Sequence, residues 1–240
     1  MNSRRVSLVG QRWRYFRHGN FHGVSANWLR KQCDGVYASV GEFIQGGSVS
    51  TRITLDVLNE GEEIFRSILK EKSGANYLNS FDCEVGLASF LYAYILAEKP
   101  LTVVETGVAN GITTNSIMRA LEITGGKLHS FDIDSRTQNV YKGGGNWHFH
   151  HLTGNLEKSL QNQIGEIGNV NLWIHDSNHG FHWQTFEYRL AAKVLSTSGL
   201  LVSDDIDSST AWGFASSSLF ESSSAIFDNR KFIGIAKVKR

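Results

Sequence analysis

The sequence predicts an α/β fold: a mostly parallel, seven-stranded sheet with helices on both faces, an antiparallel C-terminal hairpin and an N-terminal extension. Beyond residue 100, short apolar β-rich runs alternate with helical stretches, the pattern of a parallel sheet joined by crossover helices. The single proline, Pro100, closes a helical segment just before the first of these runs. The last two runs are separated only by the few residues around Asp228, Asn229 and Arg230, a gap that suits a hairpin and excludes a helical crossover.

Residues 1–55 are expected to form a basic, aromatic arm. Met1 to Lys31 carries seven Lys/Arg and no acidic residue, interleaved with Trp13, Tyr15, Phe16, Phe21 and Trp28. Such a segment can hold an anionic ligand or a membrane surface, but more often it is solvated or touches another subunit. A lid or a homo-oligomer contact is therefore expected. Residues 56–240 make the folded domain. Leu55, Leu58, Ile64, Phe65, Ile68 and Leu69 recur at near-helical spacing over Thr54 to Lys72, and Leu87, Phe90, Leu91, Tyr94 and Ile95 do so over Glu84 to Glu98. Strands are expected at Leu101 to Thr106, Lys127 to Ile133, Trp147 to His151, Val170 to His175, Leu200 to Ser203, Ala225 to Phe227 and Phe232 to Val238. Helices are expected at Ile112 to Ile123, Arg136 to Tyr141, Leu156 to Ile164, Phe181 to Leu195 and Ala211 to Glu221. The serine clusters at 196–198, 208–210, 216–218 and 222–224 are expected in loops or on helix surfaces.

With 240 residues, 41% of them hydrophobic, the chain can bury one sizeable core. A net charge of +1 gives no global field for nucleic acid. No apolar run approaches the ~18 residues of a membrane span, and the first thirty residues are interrupted by Arg4, Arg5, Arg12, Arg14, Arg17 and Arg30 where a secretory signal needs an apolar core. A cytoplasmic protein without stable membrane insertion is expected. Cys33 and Cys83 show neither CxxC nor Cys/His ligand spacing, which points to reduced packing residues.

The segment Val103 to Gly111 reads as a buried strand running into a glycine turn that opens a helix, where ligands bind in open α/β sheets. Gly107, Ala109 and Gly111 lie in the turn, and the two glycines let its backbone bend tightly and approach a ligand. It is not the Gly-x-Gly-x-x-Gly of a dinucleotide site. Glu105 at the strand end would repel phosphate but suits the ammonium of a cofactor bearing an amino acid. Asp132, ending the second strand, is placed to accept hydrogen bonds from a ribose diol. Asp134 reads as the cap of the next helix. Asn155 could bracket an adenine edge or cap the helix from Leu156, and both readings stay open.

The fourth strand runs into Asp176-Ser177-Asn178-His179 and the fifth into Asp204-Asp205, both opening on the same side as the glycine turn. Three converging carboxylates repel one another unless protons or a cation neutralise them, and a hard divalent cation such as Mg2+ is the simplest answer. Such a cation would also acidify and orient an acceptor hydroxyl. His179, with its near-neutral reference pKa, suits the general base. His175 and His182 are expected to be structural, with a His175/His179/His182 transition-metal site as the competing arrangement. Trp183 and Trp212 flank the acidic loops and are candidate acceptor contacts, with Phe181 and Phe214 beside them.

Glu105 to Gly111 and Phe131-Asp132-Ile133-Asp134 resemble the first two motifs of the class I S-adenosylmethionine-dependent methyltransferases, over roughly residues 84–240. The resemblance implies a Rossmann-like methyltransferase fold with S-adenosylmethionine as cofactor. More narrowly, Asp176 to Phe181 and Ser203-Asp204-Asp205-Ile206 are similar to the Asp-x-x-His and Asp-Asp motifs of the macrocin-type sugar O-methyltransferases and their cephalosporin-hydroxylase-like relatives. Carried over, this implies Asp176, Asp204 and Asp205 as magnesium ligands and His179 as base. Those relatives usually have Gly-Asp where Ser177-Asn178 stands, and Tyr where Phe181 stands, so the resemblance does not carry over the acceptor's identity. The function expected is metal-dependent O-methylation of a sugar or other polyhydroxylated small molecule. A phenol or catechol O-methyltransferase and a non-catalytic cofactor-binding scaffold are the alternatives.

Overall fold

In the computed structural model, residues 23–46, 52–71, 77–78 and 82–239 are described. Residues 1–22 and 47–51 of the basic arm, with Trp13, Tyr15, Phe16 and Phe21 among them, lie outside the described residues.

The sheet is built on alternation. In β2 (Thr102–Thr106), Val103 faces one core and Val104 the other; in β5 (Val170–His175), Leu172 and Trp173 do the same. Strands covered on both faces have no solvent side, so they read as continuous apolar runs. One face packs against α3 (Leu55–Glu71), α4 (Val85–Glu98) and α5 (Ile112–Thr124), the other against α6 (Leu156–Ile167), α7 (Phe181–Val194) and α8 (Ala211–Ser218). Helix α4 is buried from Leu87 to Ile95 because it is apolar on every side. It touches α3 backbone to backbone: a Cβ on Gly61 would stand 2.8 Å from the Ser89 Cα. Lys99, in the left-handed region at φ 50°, ends α4 before Pro100.

With β1 (Gly35–Tyr37), β3 (Lys127–Asp132), β4 (Trp147–His151), β6 (Leu195–Ser203), β7 (Phe220–Asp228) and β8 (Lys231–Val238), the order is β1-β7-β8-β6-β5-β2-β3-β4. The expected hairpin forms, and its second strand slots between β6 and β7, antiparallel to both, while every other pairing is parallel. Strand order reverses between β2 and β5, the place where such sheets bind ligands.

Several expected boundaries are corrected. An eighth strand, β1, comes from the segment assigned to the arm, flanked by α1 (Ala26–Leu29) and α2 (Val40–Gln45), whose Leu29 and Phe43 are buried. The described part of residues 1–55 thus packs on the body. Ser222, Ser223 and Ser224 belong to β7, not to a loop, because β1 covers them: Gly35 pairs with Ser224, and the Ser223 amide donates to the Asp34 carboxylate at 2.8 Å. Strand β6 starts at Leu195, and Ser196–Ser198 lie in an irregularity between the Val170–Leu195 and Leu172–Leu200 pairs. The helix expected at Arg136 to Tyr141 is a short 3-10 turn, Ser135–Asn139, capped by Asp134.

Candidate active site at the carboxyl rim of the sheet

The turn after β2 is held in an unusual backbone. Gly107 (φ 85°), Ala109 (φ 46°) and Gly111 (φ 75°) are all left-handed, a region that costs a residue with a Cβ about 1–2 kcal/mol. Asp132, at the end of β3, stabilises it: its Oδ2 accepts from the amides of Val108 (2.8 Å) and Ala109 (3.3 Å), and its Oδ1 from the amide of Asp134 (2.8 Å). A carboxylate accepts about four hydrogen bonds, so one acceptor position is left for a ribose hydroxyl. Glu105 is fully buried; Oε2 accepts from Ser130 (2.6 Å) and Thr114 (2.8 Å), while Oε1 has no hydrogen-bond partner. Burial pushes this carboxyl up to about 7 against those two donors. An orphaned acceptor beneath a glycine turn fits a cofactor ammonium. Of the two readings of Asn155, the cap is the one formed: its side chain accepts from the Lys158 amide at 3.0 Å. Asp134 likewise caps, and pairs with Arg136 and with the Tyr77 hydroxyl (2.7 Å). One contact was not foreseen. Asn110, in the turn, exchanges hydrogen bonds with the backbone of Tyr77 (3.0 and 3.2 Å) and donates to Asp82 (2.8 Å), pinning the chain ahead of α4 over the turn.

The acidic residues gather beside this turn. The Asp176 amide donates to the Thr106 carbonyl (2.9 Å) and the Asp204 amide to the His175 carbonyl (2.8 Å), so three adjacent strand ends are stitched together. The Thr113 hydroxyl, at the start of α5, donates to Asp176 Oδ2 at 3.1 Å. The turn and the acidic loop are in contact: a Cβ on Gly107 would stand 2.0 Å from the Asp176 carbonyl oxygen. Asp176, Asp204 and Asp205 therefore meet on the rim that also carries residues 105 and 132.

The cation among them belongs to the protein. Lys231, which opens β8 and is 2% exposed, donates to the Asp204 carboxylate and lies 3.4 Å from Asp205 Oδ2. Burial alone would lower its pKa, but Asp204, Asp205 and Asp176 raise it above the ordinary lysine range. Burial and the Asp204 charge push the Asp176 carboxyl well above its usual range. Among the described residues, no group of three or more His, Cys, Asp or Glu is arranged to hold a metal ion. An ammonium cannot ligate a metal and repels one, so the expected Asp176/Asp204/Asp205 magnesium site does not fit the residues as they stand.

His179 hangs over this cluster, Nε2 3.5 Å from Asp205 Oδ2 and Nδ1 buried without a hydrogen-bond partner. Burial lowers its imidazole to about 4, so the ring is neutral at pH 7. Behind it stands a network that sequence inspection missed. Glu187, fully buried on α7, accepts from Thr106 Oγ1 (2.5 Å), Ser177 Oγ (2.7 Å) and Trp183 Nε1 (2.5 Å), and pairs with His175 Nδ1 (2.8 Å). Burial would raise the Glu187 carboxyl, but His175 and the hydroxyl donors outweigh it and hold it below the ordinary carboxylate range. His175 is structural, as expected. His182 is on the surface beside Glu157 (2.7 Å), so the alternative three-histidine metal site does not assemble.

The aromatic candidates separate. Trp212 is fully buried against Tyr188 and Phe220, and the ring fills the space a Cβ on Gly234 would take; it is core and not an acceptor contact, a correction caused by α7, β7 and β8 enclosing it. Trp183 is half-buried and tethered to Glu187. Phe181 and Phe214 are exposed and meet edge to face at 6.3 Å, with Arg189 over Phe214.

Residues 104–206 match the methyltransferase-domain family. No curated protein sequence matches the chain. The solved structures it is similar to include the SAH-bound Podospora anserina methyltransferase PaMTH1 (12% identity, TM-score 0.53, covering 77% of this chain and 88% of that one). The Bacillus cereus O-methyltransferase in complex with SAH is another (10% identity, TM-score 0.52, 85% and 98%). A third is MycE of the mycinamycin biosynthetic pathway, in complex with Mg, SAH and mycinamycin VI (14% identity, TM-score 0.54, 75% of this chain and 54% of that one). The chain has the Rossmann-like class I methyltransferase fold.

Proposed function

We propose that this chain is an S-adenosylmethionine-dependent O-methyltransferase acting on a hydroxyl of a polyhydroxylated small molecule. The observation that carries the reading is the contact between the glycine turn and the Asp176–His179 loop, fixed by the Thr113–Asp176 hydrogen bond and the close approach of Gly107. S-adenosylmethionine, when bound, supplies a methyl group on a sulfonium. Glu105 and Asp132 offer acceptors to its ammonium and ribose, and Gly107, Ala109 and Gly111 shape the turn that receives it. His179, neutral and at the rim, takes the proton from the acceptor hydroxyl, with Asp205 beside Nε2 to stabilise the imidazolium that forms. Phe181, Phe214 and the half-buried Trp183 offer apolar surface to a sugar face. MycE, a methyltransferase of the mycinamycin biosynthetic pathway held in complex with mycinamycin VI, supports a small-molecule acceptor.

The magnesium implied by the macrocin-type resemblance has no part in this mechanism, because Lys231 stands among its ligands. The same reading has a homo-oligomer working in the cytoplasm on a small molecule, not on nucleic acid. Among the described residues no helix is long and apolar enough to cross a membrane.

Calorimetry with S-adenosylmethionine, S-adenosylhomocysteine and a nicotinamide dinucleotide tests the cofactor, and labelled methyl transfer to a panel of sugars, glycosides and catechols tests the acceptor. His179→Ala is expected to lower kcat by about 10²–10⁴ with cofactor affinity unchanged. Tight dinucleotide binding with indifference to the sulfonium compounds would overturn the reading.

A further inference from the structure

We propose that Lys231 is the resident cation of the acidic rim, taking the place of a divalent metal and making methyl transfer by this chain independent of one. The inference rests on the methyltransferase reading above and deepens it.

The placement is specific. Lys231 opens β8, the single strand that runs against its neighbours, and its Gly234 pairs with Ser203 at the end of β6. That antiparallel insertion brings the start of β8 to the carboxyl ends of the parallel strands, where Asp176, Asp204 and Asp205 lie. The ammonium reaches two of the three carboxylates and is shut from solvent. Asp205 adopts the left-handed backbone (φ 47°), a conformation with a steric cost for a residue with a Cβ, and in it the carboxylate stands between Lys231 and His179.

A magnesium ion needs oxygen ligands at about 2.1 Å in near-octahedral array. It could take these carboxylates only by displacing a buried ammonium that donates to one of them and stands beside a second. With Lys231 in place, a fixed positive charge already stands against Asp204 and Asp205, and the Asp205 carboxylate also faces His179. Lys231 is thus a positioning residue. It holds Asp204 and Asp205 where the rim would otherwise need an ion to hold them, and it leaves deprotonation of the acceptor to His179.

The deciding measurement is a calorimetric Mn2+ titration of the full-length chain, with and without S-adenosylhomocysteine, paired with methyl-transfer assays after exhaustive chelation. No stoichiometric Mn2+ site and undiminished activity in chelator are expected. Lys231→Met, which keeps the side chain's length but removes its charge, is expected to bind Mn2+ at least about tenfold more tightly than the parent, since it leaves buried carboxylates uncompensated. Its thermal midpoint should rise when Mn2+ is added; that of the parent should not. Lys231→Arg keeps the charge and should remain indifferent to metal, which covers the case in which Lys231→Met does not fold. Tight stoichiometric Mn2+ binding by the parent, or loss of its activity in chelator with recovery on Mg2+, overturns the inference. Failure of S-adenosylhomocysteine to bind overturns the methyltransferase reading instead, and the Mn2+ titration still decides the role of Lys231.

Discussion

Glu105 sits at the inner end of β2 with one oxygen bonded twice and the other alone. Its folded carboxyl titrates near 7, above the 4.5 of an unperturbed glutamate, because burial disfavours the charged form. The folded state therefore holds this proton more tightly than the unfolded chain. The stability it contributes is fully present below about pH 4.5 and is lost as pH rises through about 7, amounting to about 3 kcal/mol at roughly 1.4 kcal/mol per unit. In the cofactor-free protein, Glu105→Gln should remove this slope. Urea midpoints for both proteins between pH 4.5 and 8 check it, and parallel profiles would show that Glu105 does not carry the proton. Trp212 and Phe181 make a second residue-scale contrast. Trp212→Ala should cost about 3–5 kcal/mol of stability, and Trp212→Phe should leave the acceptor KM unchanged. Phe181→Ala should do the reverse, moving KM with little change in thermal midpoint. A shift in acceptor KM for a folded Trp212→Phe protein would return that residue to the site. Nothing in the local sequence separates the two aromatics: each stands beside an acidic loop, and only the covering of Trp212 by β7 tells them apart.

At the scale of elements, α7 holds the acidic loop in place through one side chain. Glu187 collects Thr106 from β2, His175 from β5, and Ser177 and Trp183 from the loop and helix. Removing Glu187 strands the buried donors bonded to it at about 1–3 kcal/mol each, so Glu187→Ala should cost at least about 3 kcal/mol. Glu187→Gln keeps the shape and some acceptors, and should lower kcat more than it changes cofactor affinity, because the loop bearing His179 loses its anchor. Denaturation curves and steady-state kinetics on both variants decide this; equal losses in kcat and cofactor affinity would mean that the network supports the fold alone. The strands and the two acidic loops were legible because apolar runs ending in Asp or Gly are local patterns. Glu187 was not, because a glutamate amid polar helix residues looks solvated until the strand it faces is known. Lys231 was hidden in the same way: a lysine opening a hairpin strand reads as a surface charge, and its burial follows from the insertion of β8 between β6 and β7.

For the whole molecule, the rim depends on a sheet whose far edge is closed by the N-terminal segment. Sequence periodicity made the parallel core readable from residue 101 onward, since its central strands β2, β5 and β6 are buried on both faces. It failed at the serine-rich first half of β7 and at three-residue β1, whose pairing spans nearly the whole chain and leaves no local mark. Strand β1 covers the outer edge of β7 through three residue pairs, Trp28 lies against Gly213, and Asp34 exchanges hydrogen bonds with Ser223. An uncovered strand edge is a template for association. A truncation beginning at residue 39 should therefore associate through β7 and lose thermal stability relative to one beginning at residue 23, which keeps the whole described body. Because β7 leads directly into Asp228, whose carboxylate accepts from the amides of Gly86 and Leu87 at the start of α4, the shorter protein should also lose cofactor affinity by loosening the chain pinned over the glycine turn. Light scattering, thermal melts and S-adenosylhomocysteine calorimetry on the two truncations measure all three effects. A residue-39 protein that stays monodisperse, melts with the parent and binds cofactor equally would show that β1 is an accessory to the sheet and not one of its strands.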